Sequence, residues 1–138
     1  MISTFDDLLQ TARTQATPQR LLMVFAGAEL PGDATALQRA EFLAGEGGAL
    51  VPLMCVDKRP DQLESFSQLC AEADAINSGW RMVLAGALPG QLGKEPSDQA
   101  VDAVFERWLA EIQSGNIKKV IAETLVFTRD GLAVQLGA

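Results

Sequence analysis

The sequence predicts an α/β fold, a single-domain sandwich with a mixed sheet of about five strands, four helices and a C-terminal β-hairpin. Three observations support this prediction. Apolar runs of strand length alternate with segments whose apolar residues recur at helical spacing. An Asp-Gly pair lies between two apolar runs near the end of the chain, as in a tight hairpin. The length of 138 residues fits one domain with its own core, so we expect residues 1–138 to fold as a unit.

The N-terminal third is predicted to contain a helix, a strand and a second helix. Helical spacing of apolar residues, with Ser3 and Asp6 arranged as in a capping box, predicts a helix over residues 4–15. Residues 20–26 form an apolar run typical of a strand that is covered on both faces. We expect the chain to leave the sheet at Gly27. A short helix is predicted over residues 34–44, before a glycine-rich segment.

The middle third is predicted to be strand, helix, strand. Residues 49–56 form the first of these strands, and Pro52 within it indicates an edge position or a bulge, because proline cannot donate to a ladder. Pro60 is placed to begin a helix that ends near residues 78–79. Residues 80–85 form the next strand. The apolar stripe of the helix is Leu63, Phe66, Leu69, Cys70, Ala73 and Ile76.

The last third contains the strongest helical pattern, which begins at Pro96 and Ser97 and ends at Gly115. From residue 117 we expect a strand, then a tight turn at 129–132 and a returning strand at 132–136. The apolar face of the helix is Val101, Val104, Phe105, Trp108, Leu109 and Ile112. Core packing is expected for Trp80 and Trp108, and a partner contact at one of them is the alternative.

Charge and hydropathy limit the classes of partner. Eleven Lys and Arg against 18 Asp and Glu give a formal charge of −7, and no basic block could follow a phosphate backbone, so we expect no nucleic-acid partner. The apolar runs are shorter than the roughly 20 residues of a membrane span. The N-terminus does not resemble a signal peptide. These features predict a soluble cytoplasmic protein with no membrane partner.

The residue inventory favours a protein that is not an enzyme. Histidine and tyrosine are absent, which removes the commonest general base and a common metal ligand, so we expect no cofactor, no metal and no catalytic residue. Cys55 and Cys70 are predicted to be buried free thiols, as in a reducing compartment. A thiol-dependent activity of one of them is an open alternative.

A nearly repeated stretch provides the candidate ligand site. MVFAGAELPG begins at residue 23 and MVLAGALPG at residue 82, each after a predicted strand and before a predicted helix. If the two strands are parallel, the segments 26–33 and 85–93 meet at one edge of the sheet, where backbone N–H groups could bind a small molecule or an anion. Simple turn chemistry, including type II turns at the two Leu-Pro-Gly sequences, is the alternative. The candidate ligand-binding residues are Gly27, Ala28, Gly32, Gly86, Ala87, Gly90 and Asp57.

Residues 45–63, GEGGALVPLMCVDKRPDQL, with MVFAGAELPGD before them, resemble a family of short proteobacterial proteins that carry the label "ribonucleotide reductase subunit alpha". A catalytic reductase subunit is a large barrel with a radical cysteine and a redox cysteine pair, and this chain has neither that length nor those cysteines. The resemblance therefore supplies no functional residue. The apolar strand ending in Val-Pro-Leu before a helix is similar, more weakly, to SseB-like α/β domains, which implies an interaction role.

These observations favour a small bacterial, acidic, cytoplasmic protein that acts as a non-catalytic protein-interaction or regulatory module, with a protein partner or a second copy as the binding partner. The alternative is a small-molecule or anion binder that uses the two repeated segments.

Overall fold

The computed structural model describes residues 1–29, 33–43 and 49–134. The described helices are α1 (Phe5–Arg13), α2 (Ala36–Leu43), α3 (Phe66–Ile76), α4 (Asp98–Gln113) and α5 (Ile117–Glu123). The described strands are β1 (Gln19–Glu29), β2 (Ala49–Lys58), β3 (Met82–Pro89), β4 (Leu125–Thr128) and β5 (Ala133–Val134). A 3-10 turn at Pro60–Gln62 precedes α3.

The strands form one sheet in the order β2-β1-β3-β4-β5, so β2 and β5 are its edges within the described residues. The predicted α/β class and number of strands are confirmed. The expected mixed sheet is wrong for these strands, because every neighbouring pair is antiparallel. A strand buried on both faces has the same apolar composition in either orientation, so β1 and β3 gave no sequence signal for direction.

Helices cover both faces of the sheet and create two separate cores. Alternate side chains of β1 point to opposite faces, so Phe25 lies in one core and Val24 in the other. Helices α1 and α3 form the first core with residues that include Phe5, Leu9, Leu69, Trp80 and Phe127. Helices α4 and α5 form the second with residues that include Leu84, Val101, Phe105, Trp108 and Val120. Both tryptophans are buried, which confirms their predicted core role.

The first helix begins one residue later than the sequence suggested. Its N-cap is Thr4, whose hydroxyl accepts a hydrogen bond from the N–H of Asp7, while the Asp7 carboxylate accepts from the N–H of Thr4. Hydrogen bonds from Ser3 and Thr4 lower the pKa of Asp7 below its ordinary value. Asp6, the predicted partner in the capping box, accepts instead from the N–H of Phe66 and ties α1 to the start of α3.

Two predicted elements differ from the structure. Residues 117–123, expected to be strand, form α5, so the described helices number five instead of four. Val120 explains the difference, because it is buried against the same core as α4 and a helix can place it there. The helix expected from Pro60 is divided into the 3-10 turn and α3, with Ser65 capping α3 through the N–H of Gln68.

The C-terminal hairpin is confirmed. The N–H of Thr128 donates to the carbonyl of Leu132, and the N–H of Gly131 donates to the carbonyl of Thr128. Gly131 has a φ of 79°, and a Cβ there would lie 2.9 Å from the Phe66 ring, so glycine is needed for both conformation and space. The end of the predicted returning strand, residues 135–136, lies outside the described residues.

None of the described helices has the length and apolar character needed to cross a membrane.

Candidate functional site

Charged side chains from distant parts of the sequence meet at one end of the sheet. Here β1 begins, β2 and β3 end, and α4 starts. We call it the Arg20 end. Arg20, 9% exposed, lies on β1 within the apolar run. Its guanidinium donates to Asp57 Oδ2 at 2.7 Å, Glu95 Oε1 at 3.1 Å and Asp98 Oδ1 at 3.4 Å, and to the carbonyl of Pro96 at 3.2 Å.

These contacts keep the Arg20 guanidinium charged. Burial lowers the pKa of an arginine, but hydrogen bonds to Asp57 and Glu95 outweigh that effect and raise the pKa of Arg20 above its ordinary value. The Arg20 Nε atom is buried and has no hydrogen-bond partner among the described residues. The three carboxylates come from β2 (Asp57), from the segment before α4 (Glu95) and from the first residue of α4 (Asp98). Without the guanidinium they would lose the cation that they share. Arg20 therefore links these elements through ion pairs, and we call Arg20 with these three carboxylates the clasp.

A cleft of about 420 Å³ lies beside the clasp. Arg13 lines it and donates to the carbonyls of Leu63 and Pro60. Arg59 pairs with Asp61 at 3.3 Å and with Glu95 at 3.9 Å. These cations are thus engaged by acceptors of the same chain. The lining residues are Ala12, Arg13, Gln15, Pro18, Gln19, Arg59, Pro60, Asp61 and Glu95.

The second feature of this end is the outer side of β2. The predicted edge or bulge at Pro52 is confirmed on both counts, because β2 is an edge strand and its register with β1 shifts between Phe25 and Ala26, which pair with Met54 and Pro52. Beyond the bulge, residues 54–58 form an uninterrupted ladder with β1. We call residues 54–58 the edge ladder. Cys55 and Asp57 within it are exposed, and its outer backbone groups have no partner strand in the described part of the chain.

The third feature is a two-residue hairpin after β3. The N–H of Gln91 donates to the carbonyl of Lys94 at 3.1 Å, and the N–H of Lys94 donates to the carbonyl of Gln91 at 3.0 Å. Leu92 and Gly93 form its tip with φ angles of 53° and 74°. Leu92 is 99% exposed. We call residues 91–94 the tip hairpin. The type II turn predicted at residues 88–91 is wrong, because β3 continues through Pro89 and Gly90 has no positive φ.

The repeated segments do not converge on one site. The strands β1 and β3 are antiparallel, so Gly86 lies opposite Leu22, whereas Gly27 lies beyond Ala26, the last residue of β1 that pairs with β3. Leu22 and Gly27 are five residues apart on β1, about 17 Å at the usual rise per residue. The chain also stays in the sheet past Gly27, to Glu29, and does not leave it as expected. The single ligand site predicted from parallel strands is therefore contradicted.

The individual candidate residues have different surroundings. Ala28 lines a cleft of about 420 Å³ at the opposite end of the sheet, with Leu50, Arg81, Met82, Thr128, Arg129 and Asp130. Gly86 and Ala87 line a pocket of about 140 Å³ beside Trp108 and Glu123. Gly90 donates its N–H to the carbonyl of Pro18 at 2.9 Å. Gly32 and the turn predicted at its Leu-Pro-Gly sequence lie outside the described residues.

Asp57 belongs to the Arg20 end, as part of the clasp. Arg20, Glu95 and Leu92 were missed in the sequence. A signal existed for Arg20, because an arginine at the start of a strand covered on both faces needs carboxylate partners. No comparable signal identified Leu92, since its exposure and backbone conformation depend on the hairpin.

The cysteine prediction is wrong in part. Both thiols are free, but Cys55 is exposed and Cys70 is half-buried, so neither is fully within the core. The position of Cys55 on an edge strand explains its exposure, because no further strand among the described residues lies beside β2. Burial raises the pKa of both thiols, and Asp74 adds to the effect at Cys70. This shift opposes formation of the thiolate on which a cysteine nucleophile depends.

The described residues contain no group of three or more Cys, Asp or Glu side chains arranged to hold a metal ion.

No family model matches this chain, and neither the curated proteins nor the solved structures contain a significant match. The resemblances noted in the sequence therefore stay predictions.

Proposed function

We propose that this protein is a small, non-catalytic protein-interaction module of the bacterial cytoplasm, which binds an extended segment of a partner protein along the edge ladder. The observation that carries the proposal is the outer side of residues 54–58, an edge of the sheet with which no other strand of the described residues pairs. An exposed edge pairs with an added strand through main-chain hydrogen bonds, and side-chain contacts then provide specificity.

The composition of β2 supports this use of the edge. Residues 49–56 carry no charge, and none of residues 50–56 is fully buried. The two charged residues that end the edge ladder, Asp57 and Lys58, are paired with Arg20 and Glu72 of the same chain. Natural edge strands are usually shortened or charged to prevent pairing. Pro52 and the bulge interrupt β2 at one place and leave the edge ladder regular. Addition of one short strand fits this geometry.

Charge favours a partner other than a second copy. Each copy has a formal charge of −7, so two copies repel one another at neutral pH and low salt. A partner segment with apolar side chains and without a net negative charge meets no such barrier. Free cysteines, one of them exposed, support a reducing compartment.

The test is capture of partners from bacterial extract by the tagged chain, with its mass in solution measured alongside. Cys55→Lys places a charge in the middle of the edge ladder at an exposed position, and we expect the amount of captured partner to fall about tenfold or more. Cys55→Ser removes the thiol without adding charge and should retain the partner. Ala36→Lys makes the same charge change on the exposed start of α2 and should also retain it.

Three results would overturn the proposal. Equal capture by Cys55→Lys and the wild-type chain would show that the edge ladder is not the contact. Recovery of the wild-type chain without a partner would remove the interaction role. A dimeric mass without another protein would identify a second copy as the occupant. Loss of capture in Cys55→Ser would instead support the thiol-dependent alternative.

A further inference from the structure

The tip hairpin presents a leucine where the backbone favours other residues. A two-residue turn with positive φ at both central positions is the type I′ form, for which Asn-Gly and Gly-Gly are the preferred sequences. Leu92 occupies the first of these positions with a φ of 53°. Left-handed backbone is unfavourable for a bulky residue such as leucine, because the Cβ lies too close to the following carbonyl oxygen. The side chain gains no burial in return, since Leu92 is 99% exposed.

The hairpin is held firmly at its base. On one side, Gly90 donates its N–H to Pro18, and a Cβ at Gly90 would overlap the carbonyl oxygen of Lys94. On the other side, Glu95 accepts a hydrogen bond from the buried Arg20 at 3.1 Å. The two strands of the hairpin exchange both of their backbone hydrogen bonds. Leu92 is therefore fixed in position, and its exposure follows from the fold.

From these observations we propose that Leu92 is the apolar anchor by which this protein engages its partner, and that the partner provides an apolar pocket for one leucine side chain. A side chain that enters such a pocket from a rigid support loses little conformational freedom on binding, so more of its burial contributes to affinity. The inference rests on the proposed function in taking a protein as the partner.

The position of Leu92 is compatible with binding at the edge ladder. Arg59, directly after β2, pairs with Glu95 at the base of the hairpin at 3.9 Å. The edge ladder, the cleft and the hairpin therefore lie at the same end of the molecule. A partner strand paired with residues 54–58 would run toward Arg59, and the pocket-bearing part of the same partner would reach Leu92 across the cleft.

The test uses Leu92→Asn, because asparagine tolerates left-handed backbone and lacks the apolar side chain. We expect this variant to shift the unfolding equilibrium toward the folded state by about threefold, measured by urea denaturation. We also expect it to capture about tenfold less partner from bacterial extract than the wild-type chain does. Ile76→Asn is the matched control. Ile76 ends α3 and is 71% exposed, so its replacement removes similar apolar surface elsewhere without relief of backbone strain.

If Leu92→Asn is more stable than the wild-type chain but captures less partner, leucine at this position serves binding and not folding. Undiminished capture by Leu92→Asn, together with loss in Cys55→Lys, would overturn the anchor and leave the edge ladder as the interaction site. Loss in Leu92→Asn with retention in Cys55→Lys would support the anchor and overturn binding at the edge ladder. Equal loss in Ile76→Asn and Leu92→Asn, or no stabilisation by asparagine at position 92, would also overturn the inference.

Discussion

The two repeated stretches have nearly the same sequence but contact different parts of the molecule. Gly27 lies two residues after Phe25 and therefore faces the core made by α1 and α3, whereas Gly86 lies two residues after Leu84 and faces α4 and α5. A Cβ at Gly27 would lie 3.0 Å from Leu53 Cδ1 and 3.2 Å from the carbonyl oxygen of Gly79. A Cβ at Gly86 would lie 3.1 Å from Trp108 Cη2.

The repeat therefore reflects the composition of two buried strands, not a shared ligand site. The described parts of both stretches lie on central strands that are buried over residues 23–27 and 83–85, and each contains a glycine where a neighbour approaches closely. The neighbours differ in how far they can move. Leu53 is a half-buried side chain at the bulge of an edge strand, whereas Trp108 is 4% exposed and donates its indole N–H to Glu123 at 2.8 Å.

The largest change in stability is expected at Gly86, because its neighbour Trp108 can move less than Leu53 can. Gly86→Ala forces the new methyl group against the Trp108 ring, and we expect it to lower the free energy of unfolding by about 1–2 kcal/mol. Urea denaturation measures the change. In a Trp108→Ala background, which is itself destabilised by about 3–5 kcal/mol, the same alanine should cost nothing further, because the ring is gone. Equal cost in both backgrounds would show that the contact with Trp108 is not the reason for glycine at position 86.

A smaller change in stability is expected when the charge of Glu123, which lies beside Trp108, is removed. Hydrogen bonds from Trp108 and from Arg107 lower the pKa of Glu123 below its ordinary value. A carboxylate with a lowered pKa in the folded state contributes stability above its unfolded pKa, and this contribution is lost as the pH falls through the folded pKa. Glu123→Gln keeps an acceptor for the indole but removes the charge, so it should be less stable than wild type at pH 7.

The stability difference between Glu123→Gln and wild type should shrink as the pH falls below about 4. Thermal unfolding between pH 7 and pH 3 measures it. Glu106→Gln, on the exposed side of α4, is the control and should show a smaller change with pH. A constant difference for Glu123→Gln over this range would contradict a role for its ionised form.

The smallest effect is expected at Gly27. In Gly27→Ala the flexible end of Leu53 can move aside, while alanine reduces the freedom of the unfolded chain relative to glycine. These effects oppose one another, and we expect the free energy of unfolding to change by less than about 0.5 kcal/mol. Destabilisation as large as that of Gly86→Ala would show that the carbonyl of Gly79, not Leu53, determines the space available.

The sequence contained enough local information for much of the fold. Pro52 indicated an edge or a bulge, Ser97 caps α4, and Asp-Gly predicted the C-terminal hairpin, because each depends on the chemistry of one or two residues. The antiparallel pairing of β1 with β3 could not be predicted, since buried strands lack a directional pattern. Helix α5 was missed because its isoleucines and valine favour strand locally, and tertiary packing outweighs that preference.

The candidate site was predicted less well than the fold. Asp57 was identified, but its partner Arg20 is 37 positions away and Glu95 is 75 positions from Arg20. Contacts at such separations depend on strand order, which the sequence does not reveal. Conversely, the glycines drew attention because they are repeated, and their surroundings show packing against Leu53 and Trp108.

The bulge at Pro52 has a consequence for colloidal behaviour. A long apolar run at the edge of a sheet, such as residues 49–56, is a template on which copies can stack without limit, as in cross-β fibrils. Proline removes a backbone donor and the bulge bends the strand, so the regular stretch available for pairing is only the 54–58 ladder. That length accommodates one guest strand but gives a poor seed for a growing fibril. An edge strand of this kind can bind one partner strand without promoting aggregation at high protein concentration.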